Sequence, residues 1–122
     1  MKIMLLAHEA PEDFALRDNK AEFESYMGAW YAFSEGINKN CSVEDSAALA
    51  PPSTATVVSV RNGVREVQDG PYPDAKDQLG GYFILDAINM DEAAAWAEKC
   101  PSTKNGFTEI RPVMEIDTGD VS

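Results

Sequence analysis

Hydrophobic and polar positions along the chain change between the spacing typical of strands and that typical of helices. The first apolar run, Lys2 to Ala7, is short and predicts a buried strand. The polar stretch from Glu9 to Arg17, with a proline at position 11, predicts a loop. A helix follows, because apolar residues recur at three- and four-residue steps. They are Phe23, Tyr26, Met27, Trp30, Phe33 and Ile37.

Polar residues at both ends predict the limits of this helix. Asn19, with Glu22 three residues later, fits a capping box at its start. Gly36 and the Asn38-Lys39-Asn40 cluster predict its end. The apolar stripe predicts a core face, and the alternative is a face that binds a ligand. Tyr26 and Tyr31 are the candidates for that alternative, because a buried hydroxyl needs a partner.

The middle of the chain carries a hairpin signal. A long connection from Cys41 to Ser53 precedes it, and Ser42 to Leu49 predicts an irregular strand within that connection. The β-branched run from Thr54 to Arg61 then predicts a strand. Asn62-Gly63 is a favoured two-residue turn, since both positions need positive φ. Val64 to Gln68 is the predicted partner strand.

The remaining elements follow from turn and cap residues. Asp69 to Pro73 has turn chemistry, and Gly80-Gly81 precedes a predicted strand from Tyr82 to Ala87. Asn89 and Glu92 predict the start of a second helix, which Pro101 ends. The last predicted strand runs from Thr108 to Ile116. Pro112 cannot donate to a ladder, so this strand should lie at a sheet edge or carry a bulge.

This order of elements predicts an α+β fold, a ferredoxin-like split βαβ unit with an added hairpin. Two helices cover one face of such a sheet. Both faces of the strands carry apolar residues, since Val57 and Ile84 lie one step from Val58 and Leu85. A second copy of the chain is the simplest cover for the other face, so a homodimer is predicted.

Composition then narrows the function. The chain of 122 residues has a formal net charge of -11, which argues against a nucleic-acid partner and against an anionic membrane surface. No apolar run has the length of a membrane span, and Met1 to His8 is too short for a signal peptide. A cytoplasmic location is therefore expected. The acidity indicates solubility, with a cationic ligand or a basic partner protein as the alternative.

Metal and cofactor motifs are not evident. Cys41 and Cys100 form no Cys-x-x-Cys pair and are expected to be thiols in a reducing compartment. A single histidine, His8, argues against a His-rich metal site. No metal and no cofactor is predicted. A Cys–His nucleophile pair has no supporting feature.

A motif in the second half resembles a known family. The pattern Asp69-Gly70-Pro71-Tyr72-x-x-x-Lys76-x-Gln78-Leu79-Gly80-Gly81-Tyr82-x-x-x-Asp86 is similar to the DGPF signature of the YCII-related family, with Tyr72 where that family usually has Phe. The resemblance covers nearly the whole chain and implies a single domain over residues 1–117, with 118–122 as a disordered tail. It also implies a dimeric α+β barrel. Relatives with this barrel include small oxygenases and lactone isomerases.

His8 and Asp69 are the predicted catalytic residues. Asp69 ends a strand next to a Gly-Pro turn and could act as a general base or hold a cationic group. The alternative is that it caps its own turn. An imidazole is the side chain suited to proton transfer near neutral pH, and His8 follows the first strand, where it could abstract a proton; the alternative is an exposed histidine at a strand end. The sequence does not place the two together.

Four further residues are predicted to bind a ligand. Lys76 could bind an anionic group, and the alternative is a solvated residue between acidic neighbours. Arg111 could bind a carboxylate or line the dimer interface. The aromatic residues of the set are Tyr26 and Tyr72.

Two functions are compatible with these features. The first is a homodimer with a pocket for an unidentified small molecule, with metal-free acid–base chemistry at His8 or Asp69 as a possible activity. The second is a non-catalytic interaction or ligand-sensing module linked to transcriptional regulation.

Overall fold

The computed structural model describes residues 1–71 and 75–116. Tyr72 and the predicted tail at 118–122 lie outside the described residues. The chain order of the main elements is β1 Lys2–Glu9, α1 Pro11–Ala15, α2 Phe23–Asn40, β2 Ser42–Ala48, β3 Thr56–Arg61, β4 Val64–Asp69, β5 Gln78–Asp86, α3 Met90–Lys99 and β6 Phe107–Pro112. Short 3₁₀ turns occupy Leu16–Asp18, Pro52–Thr54 and Pro101–Thr103.

Four strands form an antiparallel sheet in the order β2-β5-β1-β6. With α2 between β1 and β2 and α3 between β5 and β6, this is the predicted split βαβ arrangement within a mixed α+β fold. β6 lies at the edge, as Pro112 required. It ends at Pro112, and residues 113–116, which were predicted to continue it, form no strand.

β3 and β4 form the predicted hairpin as a separate two-stranded sheet. Its turn residues Asn62 and Gly63 have φ values of 51° and 77°, as the two-residue turn requires. The strands pair from Thr56 with Asp69 to Arg61 with Val64. Val58, Val60 and Val67 share one face of the hairpin and are exposed.

The core lies on one face of the four-stranded sheet, beneath α2 and α3. β1 alternates strictly, so that Ile3, Leu5 and Ala7 point into the core. They pack with Phe83 and Leu85 of β5, with Phe33, Ile37, Ala93 and Ala97 of the two helices, and with Cys100, which follows α3. The opposite face, here called the open face, presents the alternate residues Met4, Leu6, His8, Tyr82, Ile84, Phe107, Glu109 and Arg111.

Two local predictions are wrong. The segment from Glu9 to Arg17 is not a loop, because Pro11 starts the short helix α1 and the Ala10 carbonyl accepts hydrogen bonds from the Asp13 and Phe14 N–H groups. The helix start predicted at Asn19 is also displaced along the chain. The Asn19 side chain accepts from the Ala21 and Glu22 N–H groups in a turn, and α2 begins only at Phe23.

Helix ends and the start of β5 also differ in part from expectation. α2 continues past Gly36 to Asn40, where the Asn38 and Asn40 amides donate to carbonyls four residues earlier. β5 starts at Gln78, so Gly80 lies inside the strand. The cap of α3 is confirmed: the Asn89 side chain accepts from the Glu92 N–H, and Glu92 accepts from the Ile88 N–H.

Candidate functional site

Glu9 is a buried carboxylate at the end of β1. The alternation that buries Ile3, Leu5 and Ala7 also turns Glu9 toward the helices, and only 1% of its surface is exposed. Both of its oxygens are occupied: the Tyr26 hydroxyl donates to Oε1, and Arg17 Nη2 lies 3.0 Å from Oε2. A buried charge needs such partners, since an unpaired carboxylate in the interior is strongly disfavoured.

Arg17 comes from the 3₁₀ turn after α1. Besides Glu9, its guanidinium donates to the Leu49 carbonyl and lies 3.5 Å from the Gly80 carbonyl oxygen. The guanidinium carbon of Arg17 lies 4.8 Å from the centre of the Phe14 ring. Arg17 therefore joins β1, the segment after β2, and β5 at one point.

Tyr26 lies on the first half of α2 and completes the cluster. Its hydroxyl donates to Glu9 and accepts a hydrogen bond from Arg17 Nε at 3.1 Å. Burial, followed by the hydrogen bond to the Glu9 carboxylate, raises the pKa of Tyr26 to about 12. Tyr26 is thus a neutral phenol at physiological pH.

Gly80 makes space for this cluster. A Cβ on Gly80 would lie 1.8 Å from Glu9 Oε2 and 2.9 Å from its Cδ. β5 carries a register shift here, because Ala7 pairs with Gly81 while His8 pairs with Leu79. The glycine therefore serves close approach of the Glu9 carboxylate.

A cavity of about 420 Å³ opens beside the cluster, between the first half of α2 and strands β2 and β5. Its size falls within the range of small-molecule sites. Glu9, Arg17 and Tyr26 line one part of it, and its walls are mainly apolar. The wall residues from α2 include Phe23, Met27, Trp30, Tyr31 and Ser34; those from the strands include Ser46, Ala48, Gly81 and Phe83.

The apolar stripe of α2 has two roles that the sequence did not separate. Phe33 and Ile37, in the second half, belong to the core as predicted. Phe23 and Tyr26 line the cavity instead, and Trp30 both lines the cavity and packs against the core. A more open groove, lined by residues of α2 and α3, also includes Glu9, Tyr26 and Trp30 among its lining residues.

His8 and Arg111 lie on the open face, away from the cavity. The His8 ring stacks on Phe107, with 4.5 Å between ring centres, and its Nε2 lies 3.5 Å from Glu109 Oε1. That nitrogen is buried, and among the described residues it has no hydrogen bond of ordinary geometry. Arg111 Nη2 lies 2.6 Å from the other Glu109 oxygen, so Glu109 joins two predicted site residues.

The other residues predicted to form the site do not join His8 in one cluster. Asp69 is exposed at the end of β4 and pairs with Thr56 in the hairpin sheet, whereas His8 belongs to the four-stranded sheet. Lys76 is exposed before β5. Tyr72 lies outside the described residues. Of the candidate residues that the structure describes, Tyr26 and Tyr31 line the cavity.

Glu9 and Arg17 are site residues that sequence reasoning missed. The available signal was the spacing of β1: Glu9 continues the alternation of Ile3, Leu5 and Ala7, which predicts a carboxylate on the core side. Arg17 offered no comparable signal, because it belongs to a segment that was predicted to be a loop.

A match to a family model shows the family of the chain. Residues 1–117 match the model of the YCII-related domain. The chain belongs to the YCII-related family. An uncharacterized member from Rhizobium meliloti (strain 1021) is 33% identical over 79 residues, and the match spans 62% of this chain and 62% of that relative.

A solved structure supports the fold of this YCII-related chain. The 5-chloro-2-hydroxyhydroquinone dehydrochlorinase TftG from Burkholderia phenoliruptrix AC1100, in complex with 2,5-dihydroxybenzoquinone, superposes with a TM-score of 0.53. The superposition covers 94% of this chain and 95% of that one, at 18% sequence identity. At this identity the likeness shows a shared fold.

Over residues 1–71 and 75–116, no group of three or more His, Cys, Asp or Glu side chains is placed to hold a metal ion. Within the same ranges, no helix has both the length and the apolar character needed to span a bilayer.

Proposed function

We propose that this YCII-related chain is a homodimer that binds a small, flat molecule in the cavity beside Glu9 and performs acid–base chemistry on it with its own side chains. The observation that carries the proposal is the pairing of a mainly apolar cavity with a buried, fully hydrogen-bonded Glu9–Arg17–Tyr26 cluster. Apolar walls with a few convergent polar groups are typical of small-molecule sites.

The shape of the ligand is proposed from the walls. Phe23, Trp30 and Tyr31 offer aromatic faces, which favour stacking with a planar ring. TftG, which has a similar fold, is an enzyme whose structure holds 2,5-dihydroxybenzoquinone, a planar ring compound. Fold likeness alone is weak support for shared chemistry, so the cavity carries the main weight.

A dimer through the open face is the second part of the proposal. Met4, Leu6 and Ile84 form an apolar row there, and Phe107 at the edge is 47% exposed. A second copy would remove this surface from water, and a two-fold arrangement would use the same face twice. The open face also holds His8 and Arg111, which we propose as interior residues of such a dimer.

A location in the cytoplasm completes the proposal. Cys41 and Cys100 are both free thiols, which suits a reducing compartment.

Ligand binding is tested by thermal-shift measurements with small phenols, hydroxyquinones, carboxylic acids, amines and lactones. A ligand at 100 times its Kd should stabilise the folded chain by about 2.7 kcal/mol. Ser46→Phe places a ring in the cavity and should abolish the shift. Ser42→Phe is the matched control, because Ser42 is exposed on the same strand but does not line the cavity.

An absence of stabilisation by every compound would contradict the pocket function and favour the alternative of a non-catalytic interaction module. An equal thermal shift in Ser46→Phe and the wild type would mean that the ligand binds outside the cavity.

The dimer is tested by light scattering at micromolar concentration. The wild type should have twice the mass of the chain, and Leu6→Lys, which places a charge on the open face, should give a monomer. Ile88→Lys is the control, since Ile88 is 82% exposed and follows the end of β5 rather than lying on this face. A monomeric wild type would remove this part of the proposal.

A further inference from the structure

We infer that the cavity takes a phenol or an enol and moves its hydroxyl proton through Tyr26 to Glu9, so that the ligand is held as an oxyanion beside Arg17. This inference rests on the proposed function, because it names the ligand class and the proton path of the same cavity.

Glu9 cannot serve as a direct base for the ligand. Its carboxylate is 1% exposed, and its two oxygens are taken by the Tyr26 hydroxyl and by Arg17. A general base must lie within hydrogen-bond reach of the proton that it removes, directly or through one intervening group. The phenol of Tyr26 lines the cavity and donates its proton to Glu9, so it can connect a ligand to this carboxylate.

Tyr26 has one bonding position left for a ligand. A phenolic hydroxyl has one donor and two acceptor positions. The donor is used by Glu9, and one acceptor position is used by Arg17 Nε at 3.1 Å. Among the described residues nothing fills the second acceptor position, so a ligand that donates an O–H to Tyr26 completes its bonding.

The proton path is a concerted shift of two protons. The ligand O–H bond breaks and its proton joins the Tyr26 oxygen, while the original Tyr26 proton moves to Glu9 Oε1. The products are a ligand oxyanion, a neutral Tyr26 and a neutral Glu9, with no change in oxidation state. The negative charge moves from Glu9 to the ligand, while the Arg17 guanidinium next to Tyr26 keeps its positive charge.

The raised pKa of Tyr26 means that this phenol passes the proton on and is not itself the base. Its pKa of about 12 keeps the phenol protonated at neutral pH. The base is therefore the carboxylate behind it. A carboxylate is too weak a base for an alkyl alcohol, and this limits the ligand to acidic hydroxyls such as those of phenols and enols.

The charge of the whole chain favours a ligand that enters uncharged. The formal net charge is -11, so an anion in solution is repelled as it approaches. A neutral phenol meets no such barrier and becomes an anion only after it lies beside Arg17. The aromatic walls formed by Phe23, Trp30 and Tyr31 suit the ring that carries the hydroxyl.

The test uses 4-nitrophenol, because the neutral and ionised forms of this probe differ in absorption. The probe is titrated with the full-length protein over a range of pH, and binding is followed separately by quenching of tryptophan fluorescence. In the wild type, the pKa of the bound probe should be lower than in solution by about one unit, a tenfold change in the ionisation ratio.

Two variants assign the effect to the relay. Tyr26→Phe breaks the path, so the bound probe should ionise as it does in water. Glu9→Gln removes the base, so ionisation of the bound probe should release its proton to solvent rather than to the protein. Glu12→Gln is the matched control for Glu9→Gln, because Glu12 is exposed on α1 and does not line the cavity. The Glu12→Gln variant should ionise the bound probe to the same extent as the wild type. Circular dichroism confirms that each variant is folded.

The outcomes separate the relay from the pocket. Binding of the probe with its solution pKa would overturn the relay and leave the pocket function standing. A lowered pKa that persists in folded Tyr26→Phe would also overturn the relay, because the proton would then follow another path. Failure of the wild type to bind this probe or any other phenol or enol would overturn the relay, and failure with every class of compound would overturn the pocket function as well.

Discussion

The Tyr26 hydroxyl on α2 donates a hydrogen bond to the Glu9 carboxylate at the end of β1. This bond links the first strand to the first long helix on the side where the helix lines a cavity rather than the core. The same carboxylate is held by Arg17, so the position of the Tyr26 phenol depends on a buried ion pair. Changes to any of the three should affect both stability and binding.

Gly80→Ala should be strongly destabilising. The new Cβ would lie 1.8 Å from Glu9 Oε2, and the carboxylate can move only by leaving Arg17. Separating a buried pair costs about 3 kcal/mol or more, and this loss should be visible in the free energy of unfolding from urea denaturation. Ligand stabilisation should disappear together with the displaced carboxylate.

Gly28→Ala is the control for this change. Gly28 lies inside α2, and a Cβ there meets nothing within 4 Å. Alanine should therefore stabilise the helix by about 0.5–1 kcal/mol. A tolerated Gly80→Ala, with unchanged stability, would contradict the close packing of Glu9 against β5.

The losses in the free energy of unfolding caused by Arg17→Gln and Glu9→Gln should not be additive in a double-mutant cycle. Each single change leaves one buried partner without its opposite charge, and we expect each to lower the free energy of unfolding by about 3 kcal/mol. The double variant leaves no unpaired charge and should be less destabilised than the sum. Additive losses, measured by urea denaturation of all four proteins, would mean that the two side chains act independently.

Tyr26 should make stability depend on alkaline pH. Its folded pKa of about 12 lies above its ordinary value of 10.0, so the unfolded chain loses this proton first as the pH rises. The contribution of the Tyr26 proton is therefore complete below pH 10.0 and declines between pH 10.0 and about 12. Tyr26→Phe should lack this part of the decline in urea denaturation, and the difference spectrum of the two proteins should show a phenol that ionises late.

Glu109 should make stability depend on acidic pH. The hydrogen bond from Arg111 lowers the pKa of Glu109 below its ordinary 4.5. The contribution is therefore present above pH 4.5 and is lost as the pH falls below 4.5 through the folded pKa. Arg111→Gln should reduce the acid dependence of the melting temperature. Arg65→Gln, which removes a charge from the exposed hairpin, should leave that dependence unchanged.

Local signals were sufficient for much of the fold. Asn62-Gly63 determines the hairpin because few other residue pairs adopt positive φ twice, and both do so here. Asn89 and Glu92 determine the start of α3 through two short-range hydrogen bonds. Pro112 placed β6 at an edge because it lacks a donor. Each prediction depended on neighbours in sequence.

The site depends instead on contacts between distant parts of the chain. Glu9 meets Arg17 only because Pro11 starts a helix where the polar residues suggested a loop. The space for its carboxylate comes from Gly80, 71 positions away, and the motif around Gly80 gives no sign of what occupies that space. The hydrophobic period of α2 likewise did not show that its first half faces a cavity.

The missing side chain at Gly80 has a consequence for the descent of this family. Glu9 occupies the volume that any other residue at position 80 would fill, so the order of substitutions matters. A lineage that replaces Gly80 first would lose the carboxylate cluster at once. A lineage that first replaces Glu9 with a small residue would be free to gain a side chain at position 80. Relatives that keep glutamate at the end of the first strand should therefore also keep this glycine.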